Sequence, residues 1–311
     1  IILVKSNGLP VYHLAAMVDD HLMKITHVIR GSEWLPTFPL HKMIYDAFGW
    51  EEPSWVHLSV FLKPDGKGKM SKRDAEKAQQ SGQPIFIKDM EDLGYLPETV
   101  VNWIALMGWS YDDKAEFFTL EDLIEKFSLE KLNPSPAAIN FSKLDHFNGL
   151  HIRNLSVEEF AQRIKPYFER AGYQVDEKIL DRVAAAIQTR TKLLTEAPEM
   201  AGFFFQDEVD LALDRMISEK MPVSRAKAAC RQLISLFSSV PEITPETSEQ
   251  PLRDLADEMD IKAGHIFGLL REALTGQRVS PPLFDIMEIL GKEEVIARLQ
   301  KAAEALEEYE G

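Results

Sequence analysis

Val56-His57-Leu58-Ser59-Val60-Phe61-Leu62, running directly into Lys63-Pro64-Asp65-Gly66-Lys67-Gly68 and then Lys69-Met70-Ser71-Lys72-Arg73, is the stretch on which the fold turns. Val56, Leu58, Val60 and Leu62 alternate with His57, Ser59 and Phe61, the period of two that sends side chains to opposite faces of a strand. One proline and two glycines in the next six residues are turn chemistry and predict a mobile loop. The loop is basic: residues 63–77 hold six Lys or Arg against three Asp or Glu.

Upstream, Leu40, Met43, Ile44, Ala47 and Phe48 share one helical face, with Pro39 near its start and Gly49 at its stop. Strand and helix alternate through residues 1–62, a fragment of a nucleotide-binding sheet. After residue 80 the pattern turns helical. Thr119 to Asp122 and Ser156 to Glu159 have the form of capping boxes, and Phe160, Ile164 and Phe168 recur at intervals of four before Gly172. Ile266, Leu269, Leu270, Ala273 and Leu274 form a second apolar face ended by Gly276, and Phe284 and Met287 lead a helix to Gly291. The runs at 133–136 and 241–248, rich in proline, read as linkers.

The 311 residues, 45% hydrophobic and 27% charged, exceed one ordinary core and contain no apolar run near the ~18 residues that span a bilayer. The single cysteine, Cys230, excludes an internal disulfide and a cysteine-rich zinc site, and reads as a small core or surface residue rather than a nucleophile. A cytoplasmic location follows as an expectation. The net charge of −15 is unusual for a nucleic-acid binder, so any polyanion has to be met by local basic patches. Transfer of a phosphoryl or nucleotidyl group needs cations set against growing negative charge, on a segment able to close and open. The loop bearing Lys69, Lys72 and Arg73 answers both needs; a solvated basic turn is the alternative reading.

Lys69-Met70-Ser71-Lys72-Arg73 after a strand resembles the second signature of class I aminoacyl-tRNA synthetases. Tyr12-His13-Leu14-Ala15-Ala16-Met17-Val18-Asp19-Asp20-His21 and Ile29-Arg30-Gly31-Ser32-Glu33-Trp34 resemble the glutamyl-tRNA synthetases in particular. The resemblance continues through Gly94 to Glu98, Leu106 to Ser110, Asn148 to Arg153, Leu274 to Gly276 and Ser280 to Phe284. It implies an α/β part followed by an all-α part: 1–62 as the second half of a class I nucleotide-binding (Rossmann-like) domain, 63–155 as the loop and stem-contact region, and 156–311 as a helical anticodon-binding region, divisible near 205. The Trp and Tyr residues of the middle region read as core rather than as platforms for bases.

The resemblance also implies roles. Lys69, Lys72 and Arg73 are the catalytic candidates, with Lys72 against the pyrophosphate leaving group. Glu33, Phe61, Met70 and Ser71 join them around ATP, which carries Mg²⁺ as a substrate complex; no protein-bound zinc and no metal site are expected. Tyr12, His13, Ala16 and Arg30 are the glutamate-binding candidates. Arg30 suits a carboxylate because its planar fork donates two parallel hydrogen bonds, although a structural salt bridge would also account for it. Many family members carry asparagine where Ala16 stands, which removes a side-chain hydrogen bond. Arg190 corresponds to an arginine linked to anticodon choice, or lies on a solvated helix face.

The implied partners are L-glutamate, ATP and tRNA(Glu), with tRNA(Gln) as a second candidate, acting on a monomer. A His-x-Gly-His signature is not found around any of the eight histidines. With a start at Ile1-Ile2-Leu3-Val4, as if in mid-strand, the expectation is an amino-terminally truncated enzyme that does not charge tRNA alone. The alternative is a non-catalytic module for binding tRNA or protein.

Overall fold

Helix α1 (Tyr12–Leu22) leads into strand β1 (His27–Gly31), and a 3₁₀ turn (Ser32–Thr37) and helix α2 (Phe38–Phe48) carry the chain back to strand β2 (Ser54–Leu58). The strands pair in parallel, His27 opposite Ser54 through Gly31 opposite Leu58, so α2 is the crossover of a βαβ unit. Pro39 in the first turn of α2 and Gly49 in a left-handed cap fix its ends as the sequence predicts. The computed structural model describes residues 2–133 and 135–309, with Lys72 described by its backbone alone. Two units are compact in themselves, 1–147 and 148–311.

In the first unit, the expected strand of residues 56–62 is two strands. β2 ends at Leu58, and β3 (Phe61–Leu62) pairs in parallel with β4 (Ala137–Ala138) rather than with β1. The change of partner at Ser59-Val60 interrupts the ladder. The buried side of α2 also differs from the apolar face of the sequence. His41, Ile44 and Tyr45 are buried, whereas Met43 and Phe48 are more than half exposed and Phe48 stacks on Trp50 at 4.4 Å. Ile44 and Tyr45 join Met17 of α1 in a core cluster, and His41 turns toward the strands. The strand expected at the start of the chain is reduced, among the described residues, to one bridge between Val4 and Pro10.

Helix α3 (Lys72–Gln80) follows the basic loop, and α4 (Ile87–Leu93), α5 (Pro97–Leu106), α6 (Leu120–Lys126) and α7 (Phe141–Asn154) follow in turn. Trp109, Phe118 and Leu123 form a second core cluster, and Trp103 and Tyr95 are buried as well, which bears out the reading of these aromatics as packing groups. The Asn102 side chain donates to the Glu116 carbonyl at 2.9 Å and accepts from the Phe118 amide at 2.8 Å, fastening the loop before α6. Both of its polar ends are satisfied, as full burial requires.

The second unit is helical: α8 (Val157–Arg170), α9 (Glu177–Ile187), α10 (Ala197–Ala201), α11 (Leu213–Met216), α12 (Val223–Ser239), α13 (Pro245–Glu258), α14 (Ala263–Thr275) and α15 (Leu283–Glu308). The capping boxes at Thr119 and Ser156 form, and the predicted faces of α8 and α14 are the buried ones. The run at 241–248 is no linker: Thr244 caps α13 and Pro245 occupies its first turn, where a missing amide hydrogen costs nothing. Of the run at 133–136, Pro134 lies outside the described residues, and the Asn133 side chain accepts from the Ser135 amide in a tight turn. Arg298, almost fully buried, ties three segments together through the carbonyls of Leu274, Phe203 and Gln206, with Glu294 as its counter-ion at 2.6 Å.

At Gly291, α15 breaks with φ 78° and ψ 166°, a region open to glycine alone. A Cβ there would meet no heavy atom within 4 Å, so any cost of substitution is backbone strain. Gly291→Ala is therefore expected to lower stability by about 1–3 kcal/mol in urea unfolding followed by circular dichroism, with the helix content of the folded state retained.

Candidate active site

Arg30 and His57 are direct neighbours across the β1–β2 ladder and so share a face of the sheet, each one residue before its strand ends. In open parallel sheets ligands bind beyond these carboxyl ends. The Arg30 guanidinium donates from Nε to His57 Nε2 at 3.3 Å and from Nη1 to His41 Nδ1 at 2.8 Å. Its Nη2 is buried with no partner among the described residues. Trp55 lies 5.1 Å and Trp34 6.0 Å from the guanidinium carbon, and Tyr12 packs against Trp34 at 5.1 Å. The result is a cation in an aromatic frame with one donor edge unspent.

Electrostatics fit that description. Burial pulls the Arg30 pKa down, while Tyr12 and Asp20 act in the opposite sense. Burial, then Asp19, raise the Asp20 carboxyl against the pull of Arg30. His41 is depressed to about 4 by burial, then by Arg30 and His13, so it is neutral at ordinary pH. The alternative reading of Arg30, a structural salt bridge, finds no counter-ion among the described residues; its partners are uncharged rings. Of the glutamate-binding candidates, Tyr12, His13 and Arg30 meet here, His13 through a 2.8 Å hydrogen bond to His41. Ala16 packs instead against the Met17, Ile44 and Tyr45 cluster.

The basic segment is a tight hairpin. Lys63 and Gly68 pair through an amide-to-carbonyl bond of 3.1 Å, and the Met70 amide donates to the Phe61 carbonyl at 3.0 Å. Lys69, on the returning arm opposite Leu62, is exposed and reaches Glu33 at 2.9 Å, which lowers the Glu33 pKa. Ser71 caps α3 in a capping box with Asp74, so Met70, Ser71 and Arg73 stand at the start of that helix, and Arg73 is exposed. The Lys72 side chain lies outside the described residues. Two calls of the sequence thus come together in space, Glu33 with Lys69, while Phe61 is partly exposed at the base of the hairpin. No group of three or more His, Cys, Asp or Glu is placed to hold a metal among the described residues, and no described helix is long and apolar enough to cross a membrane.

In the helical unit, Arg190 sits in the turn after α9 rather than on a helix face, with Nη1 3.5 Å from the Ser280 carbonyl. Arg271 bonds the Ser280 hydroxyl and the Pro281 carbonyl, the latter at 2.9 Å. Burial, then the neighbouring Arg190, lower the Arg271 pKa. Arg271 lines a cleft of about 490 Å³ with Arg215, Phe267 and Arg278. Cys230 is fully buried, and burial lifts its thiol to about 12, as a packing residue requires.

Comparison with known proteins follows this geometry. The description "tRNA synthetases class I (E and Q), catalytic domain" matches residues 1–146, and "Anticodon binding domain" matches 159–303. The chain belongs to the class I tRNA synthetases of the glutamate and glutamine type. It is 42% identical to the glutamate–tRNA ligase of Chloroflexus aurantiacus over 99% of this chain and 61% of that protein, and 41% identical to that of Herpetosiphon aurantiacus over 98% and 61%. A crystal structure of a glutamate tRNA ligase from Elizabethkingia meningosepticum, in complex with its amino acid, superposes with a TM-score of 0.85 at 33% identity, covering 98% of this chain and 62% of that one. The chain thus spans about three-fifths of the length of the curated relatives it matches.

Beside the candidate residues of the sequence the structure places three others, His41 and His57 at Arg30 and Arg271 near Arg190. Only His57 had a signal available, its place in the quoted strand; His41 was passed over because the apolar face of α2 was read without it.

Asp74, capping α3 and paired with Lys63 at 3.0 Å, is held down to about 2 by its hydrogen bonds with Ser71 and Lys63. A depressed carboxylate adds stability above its ordinary value of 3.8, and that stability is lost as pH falls through about 2. Amide exchange at the start of α3, measured at constant temperature, is expected to rise severalfold in Asp74→Asn at neutral pH, the difference from the parent vanishing below about pH 2.

Proposed function

We propose that the chain serves the ATP-dependent attachment of L-glutamate to tRNA(Glu) through a glutamyl-adenylate. The observation that carries this is Arg30: a half-buried guanidinium at the carboxyl ends of two parallel strands, held by neutral rings, whose buried Nη2 has no hydrogen-bond partner among the described residues. A carboxylate is the ligand such a group lacks, since an unmet buried donor costs free energy that a charged acceptor recovers. Tyr12 and Trp34 wall the site, and Lys69 and Arg73 supply cations on the hairpin side for a nucleotide phosphate. Lys72, one residue before Arg73, is assigned there by sequence alone.

In this reading glutamate attacks the α-phosphate of MgATP and pyrophosphate leaves; a terminal ribose hydroxyl of the tRNA then takes the acyl group and AMP leaves. The chain's own residues orient the amino acid and offset phosphate charge. Arg190, with Arg271, Arg278 and Arg215, is assigned to the anticodon, because arginine stacks on unpaired bases and bonds their edges. Arg215, Arg271 and Arg278 line one cleft, in which Glu272 pairs with Arg215 at 3.2 Å, and Arg190 lies beside Arg271 at the Ser280 carbonyl.

Titration of L-glutamate into the protein with MgATP, followed by calorimetry, tests the assignment. Saturable binding is expected, with Arg30→Lys weakening it about 10- to 100-fold through loss of charged hydrogen bonds. Absence of binding by the folded protein would overturn the reading. For tRNA, Arg190→Ala is expected to weaken binding of tRNA(Glu) in fluorescence anisotropy at fixed salt while leaving an anticodon-mutated tRNA unaffected.

These 311 residues by themselves are proposed to charge no tRNA. Arg30 offers a donor to one carboxylate, and charging needs ATP, the amino acid and the tRNA end held together in one geometry, so a shortfall in any one holder removes most of the benefit of proximity. Background-level aminoacylation with labelled glutamate is the expected result, and measurable charging would refute it.

A further inference from the structure

We propose that His41, supported by His57 and His13, is a positioning and specificity-determining residue. His41 and His57 fix the Arg30 guanidinium as acceptors while leaving its positive charge, and its unbonded Nη2, for an incoming carboxylate, and His13 holds the His41 ring. The inference rests on the reading of Arg30 as the glutamate-binding arginine.

Proton positions follow from the chemistry of the partners. A guanidinium only donates, so His41 Nδ1 and His57 Nε2, at 2.8 and 3.3 Å, are acceptors. A neutral imidazole carries one N–H, which places it at Nε2 of His41 and at Nδ1 of His57. The His41 Nε2–H then donates to His13 Nδ1 at 2.8 Å, putting the His13 proton on Nε2. One direction of donation, Arg30 to His41 to His13, is the arrangement that leaves no two hydrogens opposed.

The choice of imidazole over carboxylate has a consequence for selectivity. A carboxylate bonded to Arg30 would cancel its charge inside the protein and compete with the ligand. Of the charged and titratable groups facing Arg30 and His41, α1 contributes Tyr12, His13 and Asp20, and β2 contributes His57. Asp20 is the acid among them, and it is not hydrogen-bonded to Arg30 among the described residues. His41 is fully buried, and its depressed pKa keeps its acceptor nitrogen bare where a solvent-exposed histidine would begin to protonate. Burial lowers His57 in the same sense. A full charge on Arg30 distinguishes a carboxylate from the isosteric neutral amide, so the network bears on the choice of glutamate over glutamine.

Two measurements test this. Long-range ¹H–¹⁵N spectra of the wild-type imidazoles should show the Nε2–H form for His41 and the Nδ1–H form for His57, with His41 neutral at pH 6. Calorimetry then compares L-glutamate and L-glutamine on three His41 variants whose folding is checked by circular dichroism. His41→Asn keeps an acceptor near the Nδ1 position and should bind glutamate within about threefold of the parent, whereas His41→Leu removes it and should lose about tenfold or more. His41→Asp also accepts, yet should bind glutamate at least about tenfold more weakly than His41→Asn and discriminate less against glutamine, because Arg30 has gained an internal counter-ion. An Nδ1–H tautomer at His41, or parent-like glutamate binding in His41→Leu or His41→Asp, overturns the proposal while leaving the glutamate reading intact. A folded parent protein that binds no glutamate overturns that reading and the proposal with it.

Discussion

A half-buried cation without a bonded anion is the constraint around which the first unit is arranged. Taking a guanidinium out of water is costly unless its donors are met, and here two are met by imidazole nitrogens instead of carboxylates. That arrangement demands that three elements converge: β1 supplies the arginine, β2 the adjoining His57, and α2 the buried His41. The parallel register provides the first two as neighbours, and the crossover helix carries the third over the sheet face. The burial of His41 in preference to Met43 follows, since α2 turns its polar ring to Arg30 and leaves apolar side chains outside.

The hairpin and the helical unit use charge differently. Lys69 and Glu33 are both substantially exposed, so their contact is one that solvent weakens and a phosphate can displace. Asp74 fixes the helix that begins where the basic segment ends. In the helical unit Arg298 is a structural arginine, with its donors consumed by three carbonyls and Glu294. Arg271 is bonded to a hydroxyl and carbonyls, and burial, then the neighbouring Arg190, lower its pKa. The buried Arg298 and the half-buried Arg271 are told apart by their partners: the first is neutralised by an acid, the second is bonded to uncharged groups.

The sequence by itself determined the local signals and the family. Capping boxes at Thr119 and Ser156, the glycine stops at Gly49 and Gly276, and the faces of α8 and α14 depend on neighbours a few residues away, so spacing reveals them. The Lys69 to Arg73 motif and the stretch around Arg30 likewise pointed to the class I synthetases that the comparisons show. Tertiary structure alone decided the rest. The exchange of strand partners at Ser59-Val60, the use of 244–245 as a helix start, the exposed Met43 and the union of Arg30 with His41 and His57 each depend on groups 11 or 27 residues apart or on a choice between partners. Periodicity records which face of an element is apolar, but a hydrogen bond between distant polar groups leaves no period in the sequence. For that reason the arginine was legible in the chain and the histidines that hold it were not.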